Sequence, residues 1–262
     1  MTPVNALSFS ERPTLRQPVL ILAFGGWNDA GSAATAAVRY VAEQFDAKPL
    51  AMIDPDEFFD FTVQRPQVQL VDGLHRRVTW TTHEFHFTAN PVLARDLIFG
   101  WGPEPHLKWK TFCATLLQLA RECGAEMVVT LGGYLAEVLY SRPVPITGFA
   151  SDPALLQRLD VTTTRYEGPT GIVGVFGDVC RREAMPHVSL WAALPHYIAA
   201  IPNPRGALAL LMRLTEFLTI PVDLAPLQES AAAFEQKIDE AVAEDAKLSA
   251  YIRDLKKREF AN

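Results

Sequence analysis

Short apolar runs of strand length, separated by segments with helical spacing, constrain the fold of this chain most. Residues 19–24 are a continuous apolar stretch, and residues 127–131 and 188–194 are apolar runs interrupted only by Thr130 and Ser189. Such runs are typical of strands that are covered on both faces of a parallel sheet. Residues 107–123 have the apolar spacing of a helix and end at a glycine, which is a common helix terminator. Alternation of this kind predicts a three-layer α/β/α domain around a mostly parallel mixed sheet.

The same patterns predict further elements between these runs. The alanine-rich stretch 30–45 predicts a helix after the first apolar run. Residues 75–87 are rich in Val, Thr, Trp and Phe and predict one long strand. Leu135, Val138 and Leu139 have helical spacing, so a helix is expected soon after the run 127–131.

The C-terminal part of the chain is highly charged and has helical spacing throughout. We therefore expect an α/β domain over residues 1–227 and a helical extension over residues 228–262. Apolar residues of the extension recur at alternating intervals of four and three, which places them on one face, and Asp245 interrupts them where a helix break is expected. The predicted stripe, which would contact the body or a neighbouring subunit, includes Phe234, Ile238, Leu248, Ile252 and Leu255.

Two glycine pairs follow apolar runs in the same way, as FGGW (24–27) and LGGY (131–134). Both would lie at the carboxyl ends of strands, which is the edge where open α/β sheets bind ligands. We expect the two pairs to lie side by side and to share a cleft with the segment 195–203. The candidate ligand-binding residues are Gly25, Gly26, Trp27, Asn28, Asp29, Gly132, Gly133, Tyr134, Tyr197 and Asn203.

A structural role accounts for several of these residues equally well. The glycines provide tight turns, and Asn28 or Asp29 is well placed to cap the next helix. Asn203 precedes Pro204, which is the usual order of a helix cap and the first helical residue. A carboxylate at a helix N-terminus would also compete with a bound phosphate for the same N–H donors.

The remaining motifs give little sign of catalysis. His83 and His86 are three residues apart, and on a strand this spacing directs the two rings to opposite faces, so no metal site is expected. The sequence contains no GxSxG and no GxxxxGK[ST], which excludes a nucleophile elbow and a phosphate-binding loop of that class. The glycines from 171 to 177 have no strand before them, unlike a dinucleotide-binding fingerprint.

Charge and composition exclude other classes of function. The chain of 262 residues has a net charge of −6 and no basic cluster, so nucleic acid is not an expected partner. No apolar run approaches the roughly 20 residues that cross a bilayer. Three cysteines without a CxxC motif and an N-terminus unlike a secretory signal predict a cytoplasmic protein with reduced thiols.

Taken in order, the motifs resemble the proteasome assembly chaperone 2 family, and in particular its actinobacterial branch of uncharacterised proteins. The resemblance rests on AFGGWNDAGSAA (23–34), TLGGY (130–134), the region 168–177, and SLWAALPHY with PNPRGALALL (189–211). It implies a phosphorylase/hydrolase-like α/β fold and homo-oligomers, for which a trimer is the first expectation. It also implies a role in binding proteins, as in relatives that are chaperones of proteasome assembly.

The motifs and the resemblance together leave two functions open. The first is a protein-binding, assembly-chaperone-like role with a protein partner that could be proteasome-related, without catalysis and without a metal or organic cofactor. The alternative is an enzyme or a binder of nucleosides, nucleotides or phosphate that uses the cleft at the strand ends. Similar sequences are labelled ATP-grasp or carboxylate–amine ligase, but the chain lacks a lysine-bearing phosphate loop and a cluster of acids for magnesium.

Overall fold

The computed structural model describes residues 6–198 and 202–260, except for the side chain of Phe260. Residues 199–201, which belong to the predicted cleft segment, lie outside the described part of the chain. The strands are β1 (Leu7–Phe9), β2 (Val19–Gly25), β3 (Lys48–Ile53), β4 (Gln67–Val71), β5 (His75–Thr79), β6 (His83–Thr88), β7 (Leu97–Pro103), β8 (Met127–Ala136), β9 (Ile146–Ala150), β10 (Thr162–Thr163) and β11 (His187–Pro195). The helices are α1 (Ala33–Gln44), α2 (Trp109–Glu122), α3 (Pro153–Leu159), α4 (Ile172–Arg182), α5 (Pro204–Leu218), α6 (Ala225–Glu244) and α7 (Ala246–Phe260).

Nine of the described strands form one mixed sheet in the order β1-β3-β6-β7-β2-β8-β11-β9-β10. The four central strands β7, β2, β8 and β11 are parallel to one another. Antiparallel pairs join β1, β3, β6 and β7 on one side, and β9 pairs antiparallel with β11 on the other. The sheet is therefore mixed as predicted, but parallel pairing dominates its centre rather than the whole sheet.

Helices cover both faces of this sheet, which confirms the three-layer α/β/α architecture. Alternate residues of β2 point to opposite faces, so Ile21 and Leu22 belong to different hydrophobic clusters. The Ile21 face is covered by α1 and α5, and the Leu22 face by α2 and α4. Because β2 is buried on both faces, its sequence is a continuous apolar run.

The prediction of one long strand over residues 75–87 is wrong. The segment forms β5 and β6, which belong to different sheets, and Trp80–Thr82 between them are not in a strand. β5 pairs with β4 in a two-stranded ribbon outside the main sheet, whereas β6 pairs with β3 and β7 within it. Both segments are rich in strand-forming residues, so composition alone predicted one strand. Their burial differs, because β5 is exposed throughout and most of β6 is buried.

The helix predicted from Leu135, Val138 and Leu139 is also absent from the described residues. β8 instead continues through the second glycine pair to Ala136, in register with β11 as far as Pro195. A β-carbon at Gly132 would lie 2.5 Å from the Trp191 ring of β11, so glycine provides the space that this indole occupies. The glycine therefore permits close packing within the sheet, where the sequence pattern suggested a turn into a helix.

The C-terminal extension forms two helices that meet at Asp245, as predicted. Asp245 has extended backbone angles and its carboxylate accepts hydrogen bonds from the backbone N–H groups of Lys247 and Leu248, at 2.8 and 3.1 Å. The carboxylate thus caps α7 where α6 ends. The two helices pack on the body through a cluster that we call the tail cluster, formed by Leu139, Tyr140, Tyr197, Phe234, Ile238, Leu248, Tyr251, Ile252 and Leu255.

No helix within residues 6–198 and 202–260 is both long and apolar enough to cross a membrane.

Candidate functional site

The two glycine pairs lie side by side at the carboxyl edge of the parallel strands, as predicted. β2 and β8 are neighbours in register, with Ala23 opposite Leu131. Beyond the last paired residues of β2, the Gly133 N–H donates to the carbonyl oxygen of Asn28 at 2.8 Å. The turn after β2 is thus held directly against β8.

Asp29 caps helix α1 from this turn. Its buried carboxylate accepts hydrogen bonds from the Ala34 N–H at 2.7 Å and from the Thr35 hydroxyl at 2.5 Å. Burial raises the pKa of Asp29 above its usual value, and the hydrogen bonds from Thr35 and Ala34 oppose that rise. The prediction that Asn28 or Asp29 caps the helix is confirmed for Asp29.

Asn28 has a different partner, Glu104, which the sequence motifs did not indicate. The Asn28 side-chain amide donates to Glu104 Oε1 at 2.8 Å, and the same oxygen accepts from the backbone N–H of Ile172, the first residue of α4, at 2.7 Å. Glu104 therefore caps α4 from a position just after β7. A signal was available, because Glu104 is an acid that directly follows a strand ending at this same edge.

Gly171, the residue before α4, fits closely against these two side chains. A β-carbon there would lie 2.2 Å from Asn28 Oδ1 and 2.7 Å from Glu104 Oε1. Any larger residue would push the start of α4 away from the edge. The glycines near residue 171 thus serve close packing, and the first of them touches the candidate site.

Asn203 caps a third helix at the same edge. Its side-chain oxygen accepts from the Gly206 N–H at 3.1 Å, and its own N–H donates to the carbonyl oxygen of Gly31 at 2.7 Å. Asn203 is buried and lies against the segment that leads into α1. Its predicted role as the cap of α5 is confirmed.

The N-termini of α1, α4 and α5 are thus each capped by a side chain of the protein itself. Free N–H groups at helix N-termini are what makes such an edge bind phosphate. Here Asp29, Glu104 and Asn203 already accept from those donors. Asp29 and Glu104 are also carboxyl groups, so a phosphate at this edge would have to displace an acid from its hydrogen bonds.

Apolar side chains at the same edge are exposed to solvent. Trp27 is 61% exposed, Leu135 is 58% exposed and Tyr134 is also exposed. Gly26, next to Trp27, has a φ of 100°, which a residue with a side chain rarely adopts, so glycine sets the turn that presents the indole. We call the three exposed residues Trp27, Tyr134 and Leu135 the edge surface.

Tyr197 does not join the glycine pairs, contrary to the predicted cleft. Its hydroxyl donates to the Val138 carbonyl oxygen and accepts from the Tyr140 N–H, both at 2.9 Å. Its ring contacts Tyr251 of α7 with a centroid distance of 5.5 Å. The residue is therefore part of the tail cluster.

A cavity lies between α6 and the body, and Asn203 of the carboxyl edge is among its lining residues. Its lining includes Leu139, Leu194 and Ile238. Its volume of about 10 Å³ is room for roughly one water molecule. A nucleoside would need several hundred Å³, so this cavity is not a site of that kind.

Two histidines outside the site, His83 and His86, stack on aromatic rings. His83 stacks on Phe59 and contacts Phe112, and burial lowers its pKa to about 3. His86 stacks on Trp101 toward the other face of the sheet, in agreement with the predicted opposite orientations. Within the described residues, no group of three or more His, Cys, Asp or Glu side chains is arranged to hold a metal ion.

The cysteines also lack the environment of catalytic thiols. Burial raises the pKa of Cys113 and of Cys180 to about 12, and that of Cys123 to about 11. A reactive cysteine needs the opposite shift, since the thiolate is the nucleophile.

Comparison with known proteins gives one family. The model of the PAC2 family matches residues 23–242 of the chain. A solved PAC2 family protein from Streptomyces avermitilis is 41% identical to the chain, with a TM-score of 0.83 over 89% of this chain and 99% of that one. A proteasome-assembly chaperone homologue from Mycobacterium tuberculosis is 40% identical, with a TM-score of 0.82 and the same two coverages.

A more distant likeness extends to the archaea. An archaeal proteasome activator from Pyrococcus furiosus is 20% identical, with a TM-score of 0.73 over 90% of this chain and 97% of that one. At this identity the likeness shows the fold alone. No curated protein matches the sequence significantly.

Proposed function

We propose that this chain, which belongs to the PAC2 family as its motifs predicted, binds other proteins and assists their assembly. The relative from Mycobacterium tuberculosis, at 40% identity, is described as a proteasome-assembly chaperone homologue. That description supports a chaperone-like role in general. The finer proposal is that the partner is a subunit of a proteasome core particle or of a similar assembly.

The main support for this proposal comes from the carboxyl edge of the sheet. A small-molecule site needs a concave pocket in which polar groups converge on the ligand. At this edge the polar groups of Asp29, Glu104 and Asn203 converge on the protein's own helices. The edge also presents Trp27, Tyr134 and Leu135 to solvent, and exposed aromatic residues are typical of protein interfaces.

We further propose that the chain acts as a homo-oligomer, with a trimer as the first arrangement to test. The α/β domain of residues 1–227 would carry the edge surface. The extension of residues 228–262 would serve as a brace against the body, because Ile238, Ile252 and Leu255 are buried in the tail cluster.

A direct binding experiment tests the proposed partner. Unassembled proteasome core subunits of the source organism are immobilised, and binding of the purified chain is measured by interferometry. Wild-type chain is expected to bind, and Trp27→Ala with Leu135→Ser is expected to weaken binding at least about tenfold, as for residues at the centre of an interface. Val92→Ser is the matched control, because Val92 is 78% exposed and lies outside the edge surface.

A second measurement separates this proposal from the alternative of a small-molecule site. Melting temperature is recorded with inorganic phosphate, nucleosides and nucleotides at millimolar concentration, and no shift is expected. A shift that Gly171→Ala abolishes, together with no binding of proteasome subunits, would overturn the protein-binding proposal in favour of a ligand site at the carboxyl edge.

A further inference from the structure

A two-stranded ribbon projects from the body with neither of its faces covered. We call residues 65–80 the arm; it contains β4, the turn at 72–74 and β5. Fourteen of its sixteen residues are exposed. Its described contacts with the body are at its base, where Trp80 packs on Phe61 with a centroid distance of 4.6 Å.

One face of the arm is apolar. Val68 is opposite Val78, and Leu70 is opposite Arg76, so these four side chains share a face. Trp80 continues that face two residues beyond Val78. Exposure is 64% for Leu70, 57% for Val68, 50% for Val78 and 49% for Trp80. We call these five residues the arm face.

A ribbon of this kind needs a cover. An isolated two-stranded hairpin is marginally stable in water, and its paired backbone leaves both outer edges open. A contiguous apolar face on a soluble protein marks an interaction site more often than chance exposure. The described rest of the chain does not cover the arm face, so the cover comes from another molecule.

Charge indicates what that molecule is. The arm carries three arginines against one aspartate, a net charge of +2, on a chain whose net charge is −6. Helix α6 has the opposite character, with five acids against one lysine, a net charge of −4. The chain therefore presents a basic apolar ribbon and an acidic helix on separate elements.

The solvent side of α6 also combines acids with small side chains. Glu229, Gln236 and Glu240 fall on one stripe opposite buried Ile238. Ala232 and Ala233 lie between them on that side, and Ala243 follows Glu240. These residues are exposed. Small side chains permit a close approach of a second backbone, and the acids lie where Arg76 could pair with them. We call this exposed side the α6 stripe.

The arm and α6 belong to different parts of the fold. The arm leaves the sheet just before β6, whereas α6 packs on α5 and on the segment after β8. β7 and β2 lie between β6 and β8 in the sheet. Complementary surfaces at two different places on one chain form a head-to-tail contact, which repeats from copy to copy and forms a ring if the rotation between copies closes.

We infer that the arm face docks on the α6 stripe of a second copy of this chain. This inference deepens the proposed self-assembly and rests on it. It names the occupant of the arm face as a neighbouring subunit and gives Arg76 an acidic partner on that subunit's α6.

The state of assembly tests this inference. Mass is measured by light scattering and native mass spectrometry over a range of concentrations. Wild-type chain is expected to self-associate, and Leu70→Asp is expected to raise the dissociation constant at least about tenfold, as for the loss of a central apolar contact. The melting temperature of the dilute variant checks that the body is folded.

Arg76 and Arg77 provide a matched pair of charge changes. They are neighbours on β5 and point to opposite faces of the arm, Arg76 on the arm face and Arg77 on the other. Arg76→Glu is expected to weaken assembly, and Arg77→Glu is expected to change it much less. Glu240→Arg alone is expected to weaken assembly, and Arg76→Glu combined with Glu240→Arg in one chain is expected to recover most of it.

The outcomes distinguish the two levels of the proposal. A wild-type chain that stays monomeric at all concentrations overturns self-assembly itself. A wild-type oligomer that Leu70→Asp and Arg76→Glu leave intact overturns the role of the arm and keeps self-assembly. Equal losses from Arg76→Glu and Arg77→Glu, or no recovery in the charge-swapped chain, overturn the docking on α6.

Discussion

Asp29 shows how one side chain at the carboxyl edge joins two elements. It follows the glycine turn after β2 and accepts hydrogen bonds from the first turn of α1. Its neighbour Asn28 makes the corresponding link to Glu104 and so to α4. Adjacent residues therefore fix two helices on opposite faces of the sheet, although the buried side-chain oxygen of Asn28 has no hydrogen-bond partner among the described residues.

Asp29→Ala is expected to lower the free energy of unfolding by about 1–2 kcal/mol, at the upper end for loss of a helix cap, because the cap is buried. Asp152→Ala is the control, since Asp152 caps the short exposed helix α3 through the Ala154 N–H. That change is expected to cost about 0.5 kcal/mol. Urea denaturation of the two variants measures the difference, and equal small losses would show that Asp29 does not act chiefly as a cap.

The buried histidines give the protein a dependence on pH. Burial lowers the pKa of His83 to about 3 and that of His187 to about 4, from 6.5 for an exposed histidine. Between pH 6.5 and about 4 the unfolded chain binds protons at these residues and the folded chain does not. The free energy of unfolding is therefore unaffected above pH 6.5 and decreases as the pH falls below it, by up to about 1.4 kcal/mol per pH unit for each histidine.

His83→Phe is expected to make this decrease shallower, because it removes one of the groups that bind a proton in the unfolded chain and not in the folded one. Phenylalanine suits the position, since both ring nitrogens of His83 are buried without a hydrogen-bond partner and its neighbours are aromatic. Urea denaturation at several pH values between 4 and 7 measures the slope. His75→Gln is the control, since His75 is exposed on the arm. An unchanged slope in His83→Phe would mean that another group dominates acid unfolding.

At the scale of elements, periodicity predicted the helices and strands whose burial follows one regular pattern along the sequence. β2, α1, α2 and α5 were evident because each has one burial pattern along its length. The caps Asp29 and Asn203 were also predictable, because a cap is a contact between residues close in sequence. The side-by-side glycine pairs followed from the rule that parallel strands end at one edge.

The errors concern contacts between residues that are far apart in sequence. The extension of β8 depends on its pairing with β11, and Gly132 is a glycine because of Trp191. The separation of β5 from β6 depends on which partner each strand has. Glu104 and Tyr197 were missed or misplaced for the same reason, since their partners lie tens of residues away.

At the scale of the whole molecule, two appendages have opposite relations to the body. Ile238, Ile252 and Leu255 of the C-terminal helices are buried, and Tyr140 of the body donates to Asp239 of α6 at 2.7 Å. The arm, in contrast, is exposed along almost its whole length. The first appendage therefore stabilises each subunit, and the second is available to stabilise only an assembly.

Removal of each appendage is expected to change the melting temperature in a different way. Deletion of residues 230–262 loses the burial of three large aliphatic side chains, each worth about 1.5–3 kcal/mol, so the melting temperature of the dilute protein is expected to fall by roughly 10 °C. Because the deletion also removes most of the α6 stripe, any rise of the melting temperature with concentration is expected to be lost as well. Replacement of residues 67–79 by a short Gly-Ser linker is expected to leave the melting temperature of the dilute protein unchanged. Because association stabilises the folded state by mass action, the wild-type melting temperature rises with concentration, and the armless chain is expected to lose that rise. Calorimetry at several concentrations measures both effects.

An armless chain whose melting temperature still rises with concentration would place the subunit contact elsewhere. A tail-deleted chain of unchanged melting temperature would mean that the tail cluster adds no stability to the body.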